Sequence, residues 1–348
     1  MREADFHPRG IFRNAHVQSV LASSVLRRML FRARQREIVS RSVEHVLECG
    51  DGVKLQAFYA EQTVRDSARG LVVVLHGWEG SAASSYVLNT GRRLLREGFD
   101  VVRLNFRDHG ETHHLNREIF HSCRIDEVVG AVGEIARLFP ARPLFAMGYS
   151  LGGNFALRVA LRAPAHGIPL VHALAVCPAV RPHAILESIE RAPWFYDHYF
   201  MQKWRSSLRR KSALYPDHYA FDDRFFKLSM RDLTAELITR YTEFGSLDAY
   251  LDGYSIHGDR LSSMEVPATV LTSRDDPIIP FADFESLALP GCVSLEVSQY
   301  GGHCGFIRDW SLESYAEDWL VSKLHAAAPA LPDEAADPAA EFEVARAS

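Results

Sequence analysis

The chain has 348 residues, of which 47% are hydrophobic and 24% charged, so it holds enough apolar material for one large domain or for one domain with a sizeable insertion. Its formal net charge of -5 at pH 7 argues against a general nucleic-acid-binding protein, because affinity for phosphate comes mainly from accumulated Lys and Arg. The five cysteines are odd in number and scattered, without the close pairs of metal ribbons or small disulfide scaffolds, so a cytoplasmic location is the simplest expectation.

An N-terminal arm, residues 1–37, contains an apolar helical pattern that arginines interrupt. A secretory signal has its positive charges before the apolar run, whereas here they follow or interrupt it. The stretch also lacks the roughly 20 predominantly apolar residues that a membrane-spanning helix needs. Two interpretations remain: a helix packed on the body of the protein, which is favoured, and an amphipathic segment in weak peripheral contact with anionic lipid.

Alternating strands and helices are predicted over residues 38–177 and 266–325. A hairpin across Gly50-Asp51-Gly52 comes first, and short apolar runs then predict strands that are buried on both faces. These strands are expected at residues 70–75, 101–106, 144–147, 170–176, 269–272 and 293–297. Helices are predicted between them, one over residues 151–162 and a final one that includes Leu312, Tyr315 and Trp319. The pattern indicates an α/β fold with a mostly parallel central sheet.

Residues 178–265 break this alternation and are rich in aromatic and charged residues. We interpret them as a helical insertion. An insertion between the last strands would lie over the carboxyl ends of the sheet, where ligands bind in open α/β folds, so we predict that it acts as a lid. Residues 326–348 are rich in Ala, Pro, Asp and Glu without an apolar period, which predicts a disordered tail.

Ser150 is the candidate nucleophile. It lies in Gly148-Tyr149-Ser150-Leu151-Gly152, between a predicted strand and a predicted helix, which is the context that a Gly-x-Ser-x-Gly motif requires. The turn must be so tight that glycines are needed at 148 and 152, and it leaves the serine hydroxyl exposed at the strand tip.

A serine hydroxyl alone is a poor nucleophile, so a general base and an acid are expected downstream in the order Ser, Asp, His. His303, in Gly301-Gly302-His303-Cys304-Gly305, follows the strand at 293–297 and is the candidate base. Asp276 follows the strand at 269–272 and is favoured as the acid, with the adjacent Asp275 as the alternative. Because successive side chains in an extended loop point apart, one of these two carboxylates is expected to make a structural contact instead.

The backbone N–H groups of Trp78 and Leu151 are the candidates for an oxyanion hole. Trp78 lies in His76-Gly77-Trp78-Glu79-Gly80, directly after the first buried strand, and Leu151 follows the nucleophile. An oxyanion hole in this class of turn combines the residue after the nucleophile with a donor from such a loop.

Two other chemistries are disfavoured. His109, His113 and His114 lie close together, but they lack a helical His-Glu-x-x-His placement and a clear third ligand for a metal. No predicted strand is followed by Gly-x-Gly-x-x-Gly, the mark of a dinucleotide site. We therefore expect no cofactor and no metal.

These motifs resemble those of the YheT-like, embryogenesis-associated branch of the α/β-hydrolases, a branch that also contains lipid-acting membrane relatives. The segment Arg13-Asn14-Ala15-His16-Val17-Gln18-Ser19 resembles the opening Asn-Pro-His-Leu-Gln-Thr of that family, and the blocks around Ser150, Asp276 and His303 also match. Three positions depart from the family pattern: Ala15 replaces a proline, Trp78 a leucine and Asp108 a glycine.

The resemblance implies an α/β-hydrolase fold and the hydrolysis of carboxylic esters. We expect a cofactor-free serine hydrolase that cleaves a small-molecule ester, with a short or medium acyl chain or a lipid-like one, through an acyl-enzyme. Two alternatives stay open. One is a hydrolase-fold protein that binds an apolar ligand or partner with little turnover, and the other is an acyltransferase that uses an alcohol or thiol in place of water.

Overall fold

A nine-stranded sheet forms the centre of the protein in the computed structural model, which describes residues 1–329. The strands are β1 (Arg2–Glu3), β2 (Val43–Glu48), β3 (Lys54–Ala60), β4 (Leu71–Leu75), β5 (Asp100–Leu104), β6 (Leu144–Tyr149), β7 (Leu170–Val176), β8 (Ala268–Ser273) and β9 (Val293–Ser298). Their order is β1-β9-β8-β7-β6-β4-β5-β3-β2. All neighbours are parallel except β3, which pairs antiparallel with β2 and β5. The predicted fold class, a mostly parallel sheet with an antiparallel hairpin at one edge, is confirmed.

Helices cover both faces of this sheet. They are α1 (Ala15–Ala22), α2 (Val25–Arg41), α3 (Ser85–Arg96), α4 (Ile125–Leu138), α5 (Leu151–Arg162), α6 (Pro182–Arg191), α7 (Trp194–Leu214), α8 (Met230–Tyr241), α9 (Leu247–Gly253), α10 (Ala282–Glu285) and α11 (Tyr315–Ala327). Helices α6 to α9 lie within residues 178–265, the segment interpreted as an insertion. No helix among residues 1–329 has the length and apolar character that crossing a membrane requires.

The alternating residues of β4 show why a continuous apolar run is needed in the centre of the sheet. Leu71, Val73 and Leu75 pack into the core that also contains residues of α4 and α5. Val72 and Val74 belong to the opposite core, formed with α3 and α11. The strand is buried on both faces, as its sequence predicts.

The last helix begins later than its apolar spacing indicates. Leu312, which was predicted to lie in this helix, precedes it with a backbone φ of 59° and packs with Phe12, Phe31 and Ile307 in a small separate cluster. That prediction was wrong because Leu312 is apolar for its packing against the N-terminal arm and not because it lies on the apolar face of the helix. From residue 330 onward, the predicted tail lies outside the described residues.

Helix α2 packs on the body of the protein through buried polar side chains. Arg27, whose side chain is 2% exposed, donates to Glu317 of α11 at 2.7 Å and to the Leu312 carbonyl at 3.0 Å. Gln35 donates to Asn89 of α3 at 2.8 Å. The arm therefore has a fixed position on α3 and α11, while its contact with lipid stays a prediction.

A buried ion pair joins α7 to the loop that follows β5. The Lys211 Nζ donates to the Asp108 carboxylate at 2.8 Å, and both side chains are at most 5% exposed. The other carboxylate oxygen of Asp108 accepts from the Phe120 N–H at 2.8 Å. Asp108 has a φ of 59°, a left-handed conformation that suits the glycine usual in the resembled family but that Asp also tolerates.

We expect Lys211→Met to lower the free energy of unfolding by about 3–5 kcal/mol, because it leaves the Asp108 carboxylate buried without its cation. The double variant Lys211→Met/Asp108→Asn should recover part of this loss, since it removes the unpaired charge and keeps an acceptor for the Phe120 N–H, although the carbonyls of His113 and Asn116 still lack the Lys211 donor. Urea denaturation at pH 7 measures both. Arg137→Met, which breaks an exposed pair with Glu134, is the control and should change little. A double variant as unstable as the single one would contradict this account.

Candidate active site

Ser150 occupies the turn between β6 and α5 with a backbone φ of 53°. This conformation is disfavoured for residues with a side chain, and it fits a nucleophile held on a sharp strand-to-helix turn. Close approach explains the flanking glycines: a Cβ at Gly148 would lie 2.1 Å from the Gly152 carbonyl oxygen, and one at Gly152 would lie 2.3 Å from that of Leu75. The backbone packing therefore forces the hydroxyl outward at the end of β6.

His303 connects Ser150 to Asp276. Its Nε2 lies 2.9 Å from the Ser150 Oγ, and its Nδ1 lies 2.9 Å from the Asp276 Oδ2. The Asp276 side chain is fully buried and that of His303 is 13% exposed. A proton on Nδ1 suits the bond to the carboxylate and leaves Nε2 free to accept the serine proton. The structure thus brings the three predicted residues into one hydrogen-bonded series.

The two neighbouring carboxylates have different contacts. Asp276 Oδ1 accepts from the backbone N–H groups of Ile278 and Ile279 at 2.8 and 2.9 Å, which fix its orientation while Oδ2 faces the imidazole. Asp275 Oδ1 instead accepts from the Gly302 N–H at 2.9 Å. The geometry places Asp276 against His303 and gives Asp275 a supporting contact in the same loop.

Opposing effects act on the pKa of His303. Burial lowers it, but the Asp276 carboxylate and the neighbouring Cys304 raise it, and together they leave the pKa well above its ordinary value. Burial likewise disfavours the Cys304 thiolate, yet the Cys177 thiol and His303 lower the pKa of Cys304 to about 6. The surroundings thus stabilise a charged imidazole, the form that appears when a base takes a proton from serine.

Trp78 and Leu151 line the same cavity as Ser150, and the backbone N–H of neither residue has an acceptor among residues 1–329. Leu151 is the first residue of α5, where N–H groups are unpaired and the helix dipole is positive. The Trp78 turn is held by the Gly77 N–H, which donates to the Tyr86 hydroxyl at 2.8 Å. Both N–H groups are thus without an acceptor, and their role as an oxyanion hole stays a prediction.

His76 supports the same turn as a neutral side chain. Its Nδ1 lies 2.8 Å from the Gly77 carbonyl oxygen, and its Nε2 accepts from the Phe106 N–H at 3.2 Å. Burial, followed by the proximity of His109, lowers the pKa of His76 well below its ordinary value. One nitrogen therefore donates and the other accepts, which fixes the ring beside the turn.

The nearby histidines have separate partners. His109 Nε2 accepts from the Glu79 N–H at 3.3 Å, and its Nδ1 lies 2.8 Å from the Arg107 carbonyl oxygen. His113 Nε2 lies 2.8 Å from the Ser207 Oγ. Within the described part of the chain, the metal-ligating side chains that do meet are Cys177, His303 and Cys304, a group that the spacing of the cysteines did not indicate.

Residues of the N-terminal arm hold the His303 loop, a role that was not predicted for them. The Ser19 Oγ accepts from the His303 N–H at 2.8 Å and donates to the Ala15 carbonyl at 2.7 Å. Gln18 is fully buried and bonds to both backbone groups of Ile307. The signal that could have found them is the family-like segment at residues 13–19.

A cavity of about 250 Å³ opens beside Ser150 and His303. Apart from Lys203, most of its lining from the insertion helices is apolar or aromatic, and it includes Ile185, Tyr199, Phe200, Trp204, Leu237 and Ile238. Trp78 stacks on Phe200 and meets the edge of Trp204, each at 5.4 Å between ring centroids.

Comparison with known proteins gives one consistent result. The model of the alpha/beta hydrolase fold family matches residues 70–309. The chain is 28% identical to the putative esterase YheT of Escherichia coli strain K12, over 93% of this chain and 95% of that protein. It is 24% identical to the mouse phospholipase ABHD3, over 72% of this chain and 61% of that protein. The esterase Pf2001 of Pyrococcus furiosus shares the fold at a TM-score of 0.55 and 15% identity, over 84% of this chain and 94% of that one. The expected similarity to the YheT-like branch is confirmed.

Proposed function

Because the chain belongs to the alpha/beta hydrolase fold family, we propose that it is a serine hydrolase that cleaves carboxylic esters through an acyl-enzyme on Ser150. The observation that carries this proposal is the series of hydrogen bonds from the Ser150 Oγ through His303 to Asp276. Similarity to a putative esterase and to a phospholipase supports hydrolase activity. What we propose beyond hydrolase activity is that the bond cleaved is a carboxylic ester and that Ser150 is the nucleophile, His303 the base and Asp276 the acid that orients it.

In the proposed reaction, His303 Nε2 takes the proton of Ser150 as its Oγ attacks the ester carbonyl carbon. Asp276 keeps the imidazole in the required tautomer and stabilises its charged form without taking the proton. The N–H groups of Trp78 and Leu151 stabilise the negative oxygen of the tetrahedral intermediate. His303 then protonates the leaving alcohol, and a water molecule, activated by the same base, releases the acid and regenerates Ser150.

The shape and lining of the cavity support an apolar acyl group as the part of the substrate bound beside Ser150. Apolar pockets with few polar groups gain binding free energy mainly from burying apolar ligand surface. Since helices α6 to α9 contribute much of this lining, residues 178–265 form the proposed lid. Short and medium acyl chains and lipid-like esters all satisfy this description, and a series of esters of increasing chain length separates them.

Replacing Ser150 by Ala should reduce the hydrolysis of p-nitrophenyl butyrate on the order of 10⁴-fold or more, because it removes the nucleophile of a residue set that acts as a unit. A fluorophosphonate probe should label the wild type at Ser150 and leave the variant unlabelled. Ser40→Ala, at an exposed position on α2, is the matched control. Equal hydrolysis rates would rule out the proposal, and folded wild type that resists the probe would favour a ligand-binding protein with little turnover.

The two adjacent carboxylates should respond differently to the same substitution. We expect Asp276→Asn to lower kcat roughly 10⁴-fold, because an amide opposite Nδ1 favours the wrong tautomer of His303. Asp275→Asn keeps an acceptor for the Gly302 N–H, so its effect should stay within about tenfold, equivalent to about one hydrogen bond. Steady-state kinetics with p-nitrophenyl butyrate compares the two, and a larger loss for Asp275→Asn would reverse the assignment.

A further inference from the structure

Two cysteines that lie far apart in the sequence flank His303. Cys177 directly follows β7, and Cys304 directly follows His303. The Sγ atoms of both and a ring nitrogen of His303 all lie within 4.8 Å of one another, and the Cys304 Sγ lies 4.0 Å from Nε2. The proposed hydrolysis assigns no role to either thiol.

The side-chain partners of the two sulfurs are one another and His303, and their contacts with the backbone are weak. The Cys177 Sγ lies 3.9 Å from the Gly302 carbonyl oxygen, and the Cys304 Sγ lies 3.6 Å from that of Val176, so both contacts are weak. Cys304 also lines the cavity beside Ser150, whereas Cys177 is fully buried behind it. A small ion that enters the cavity would reach Cys304 and His303 first.

Two sulfur ligands and one imidazole suit Zn²⁺ or Cd²⁺ and not Mg²⁺ or Ca²⁺, which prefer oxygen. Bond lengths of about 2.3 Å to sulfur and 2.0–2.1 Å to nitrogen put tetrahedral ligand atoms roughly 3.5–3.8 Å apart. The observed separations exceed this by about 1 Å or less, a difference that small side-chain movements can remove. The Ser150 Oγ lies 2.9 Å from Nε2, in the direction of the same lone pair, so it would have to rotate away or become the fourth ligand when a cation binds.

We propose that Cys177, Cys304 and His303 form an inhibitory site for a thiophilic divalent cation such as Zn²⁺. Binding would release two protons to solvent, one from the Cys177 thiol and one held between Cys304 and His303, and would occupy the Nε2 lone pair. Inhibition rests on the proposed function, because Nε2 is the atom that takes the proton of Ser150. Binding of the cation does not rest on it.

The test titrates the intact protein with Cd²⁺ and follows thiolate-to-cadmium charge-transfer absorption in the ultraviolet. Wild type should bind one ion at this site. Cys177→Ala and Cys304→Ala should each weaken its binding more than about tenfold, since even an outer-shell partner of a metal site is worth about 10–100-fold. Cys292→Ala and Cys123→Ala, at half-buried cysteines outside the cluster, should bind as wild type. Cys177→Ser replaces Cys177→Ala if thermal melting shows that the latter unfolds.

Hydrolysis of p-nitrophenyl butyrate gives the second readout, with each variant compared to its own metal-free rate. Zn²⁺ should inhibit wild type, EDTA should restore it, and Mg²⁺ should have no effect. Inhibition that a thiol reductant reverses but EDTA does not would indicate a disulfide and overturn the proposal. Binding unchanged by loss of Cys177 and Cys304 would also overturn it. A protein that binds Cd²⁺ through these thiols but hydrolyses no ester would reject only the proposed function.

The outer face of α2 presents an independent feature, a group of large apolar side chains in contact with solvent. Val25, Leu26, Met29 and Leu30 are 54–70% exposed, although such side chains are usually buried. A contiguous exposed apolar patch on a folded protein usually marks an interaction surface. The opposite face of the helix already packs on the body, so this outer face is left for a partner.

Basic residues lie along one side of this apolar group. Arg28, Arg32 and Arg36 are exposed and form no ion pair with another of residues 1–329. Glu37, the acidic residue of α2, is paired with Arg92 and with a second arginine of α3. The surface therefore combines apolar side chains with unneutralised positive charge, the combination that binds anionic lipid.

The outer face of α2 lies next to the cavity beside Ser150. Ala22 and Ser23, just before α2, line this cavity. The start of α7 packs against α1 through Tyr196, whose hydroxyl lies 3.2 Å from His16 Nδ1. The first residue of α7, Trp194, is 76% exposed. Aromatic residues of this kind are enriched at membrane–water interfaces.

We infer that the outer face of α2 docks on an anionic lipid surface. Docking would place the cavity close to esters held in that surface, which extends the proposed function, although binding to lipid can be measured without turnover. Charge complementarity favours lipid over a second copy of the chain, because the same basic face on two copies would repel.

Cosedimentation with vesicles tests this inference. Wild type should bind vesicles of phosphatidylcholine and phosphatidylglycerol more tightly than phosphatidylcholine alone, and high salt should weaken this binding. Leu26→Glu/Met29→Glu should abolish most of it, and each of Arg32→Gln and Arg36→Gln should weaken it about fivefold. Val46→Glu/Val64→Glu, at exposed apolar positions elsewhere, is the matched control. Equal losses in the two double variants would overturn the inference, as would a dimer in ultracentrifugation that only Leu26→Glu/Met29→Glu dissociates.

Discussion

The candidate site depends on one close packing of backbone. The first residues of α5 press against the ends of β4 and β6, so that no Cβ fits at Gly148 or Gly152. This contact gives Ser150 its left-handed conformation, aims the hydroxyl away from the sheet, and leaves the Leu151 N–H beside it at the start of a helix. Strain of this kind persists only where the surrounding structure over-determines it. Here the two buried cores on either side of β4 supply that rigidity.

His303 needs a different support, because it lies in a loop and not on a strand. The loop is held from one side by Asp275, which accepts from the Gly302 N–H, and from the other by Ser19, which accepts from the N–H of His303 itself. Gln18 adds bonds to both backbone groups of Ile307. The N-terminal arm thus fixes the loop that carries His303, so the position of the imidazole depends on the arm.

Sequence reasoning succeeded where one physical cause dominates. Burial on both faces produces uninterrupted apolar runs, so the central strands were predictable. Residues at the carboxyl ends of parallel strands converge at one edge, so the proximity of Asp276 and His303 to Ser150 was predictable too. Strand β1 has two residues, too few to show a period, and it forms only because β9 offers it an edge. The contact between Cys177 and Cys304 depends on the order of strands in the sheet, which local sequence does not encode.

Two of the three departures from the resembled family contact helix α7. Trp78, in place of a leucine, stacks on Phe200 of α7, and Asp108, in place of a glycine, binds Lys211 on the same helix. Ala15 is the exception, since it occupies the first turn of α1, a position where proline is also favourable. The nucleophile turn and the histidine loop retain the family pattern, while the residues that contact α7 differ. Because α7 lines the cavity and its two unusual contacts fix it to the core, the substrate preference of this chain should depend on α7 and much less on the turn that carries Ser150.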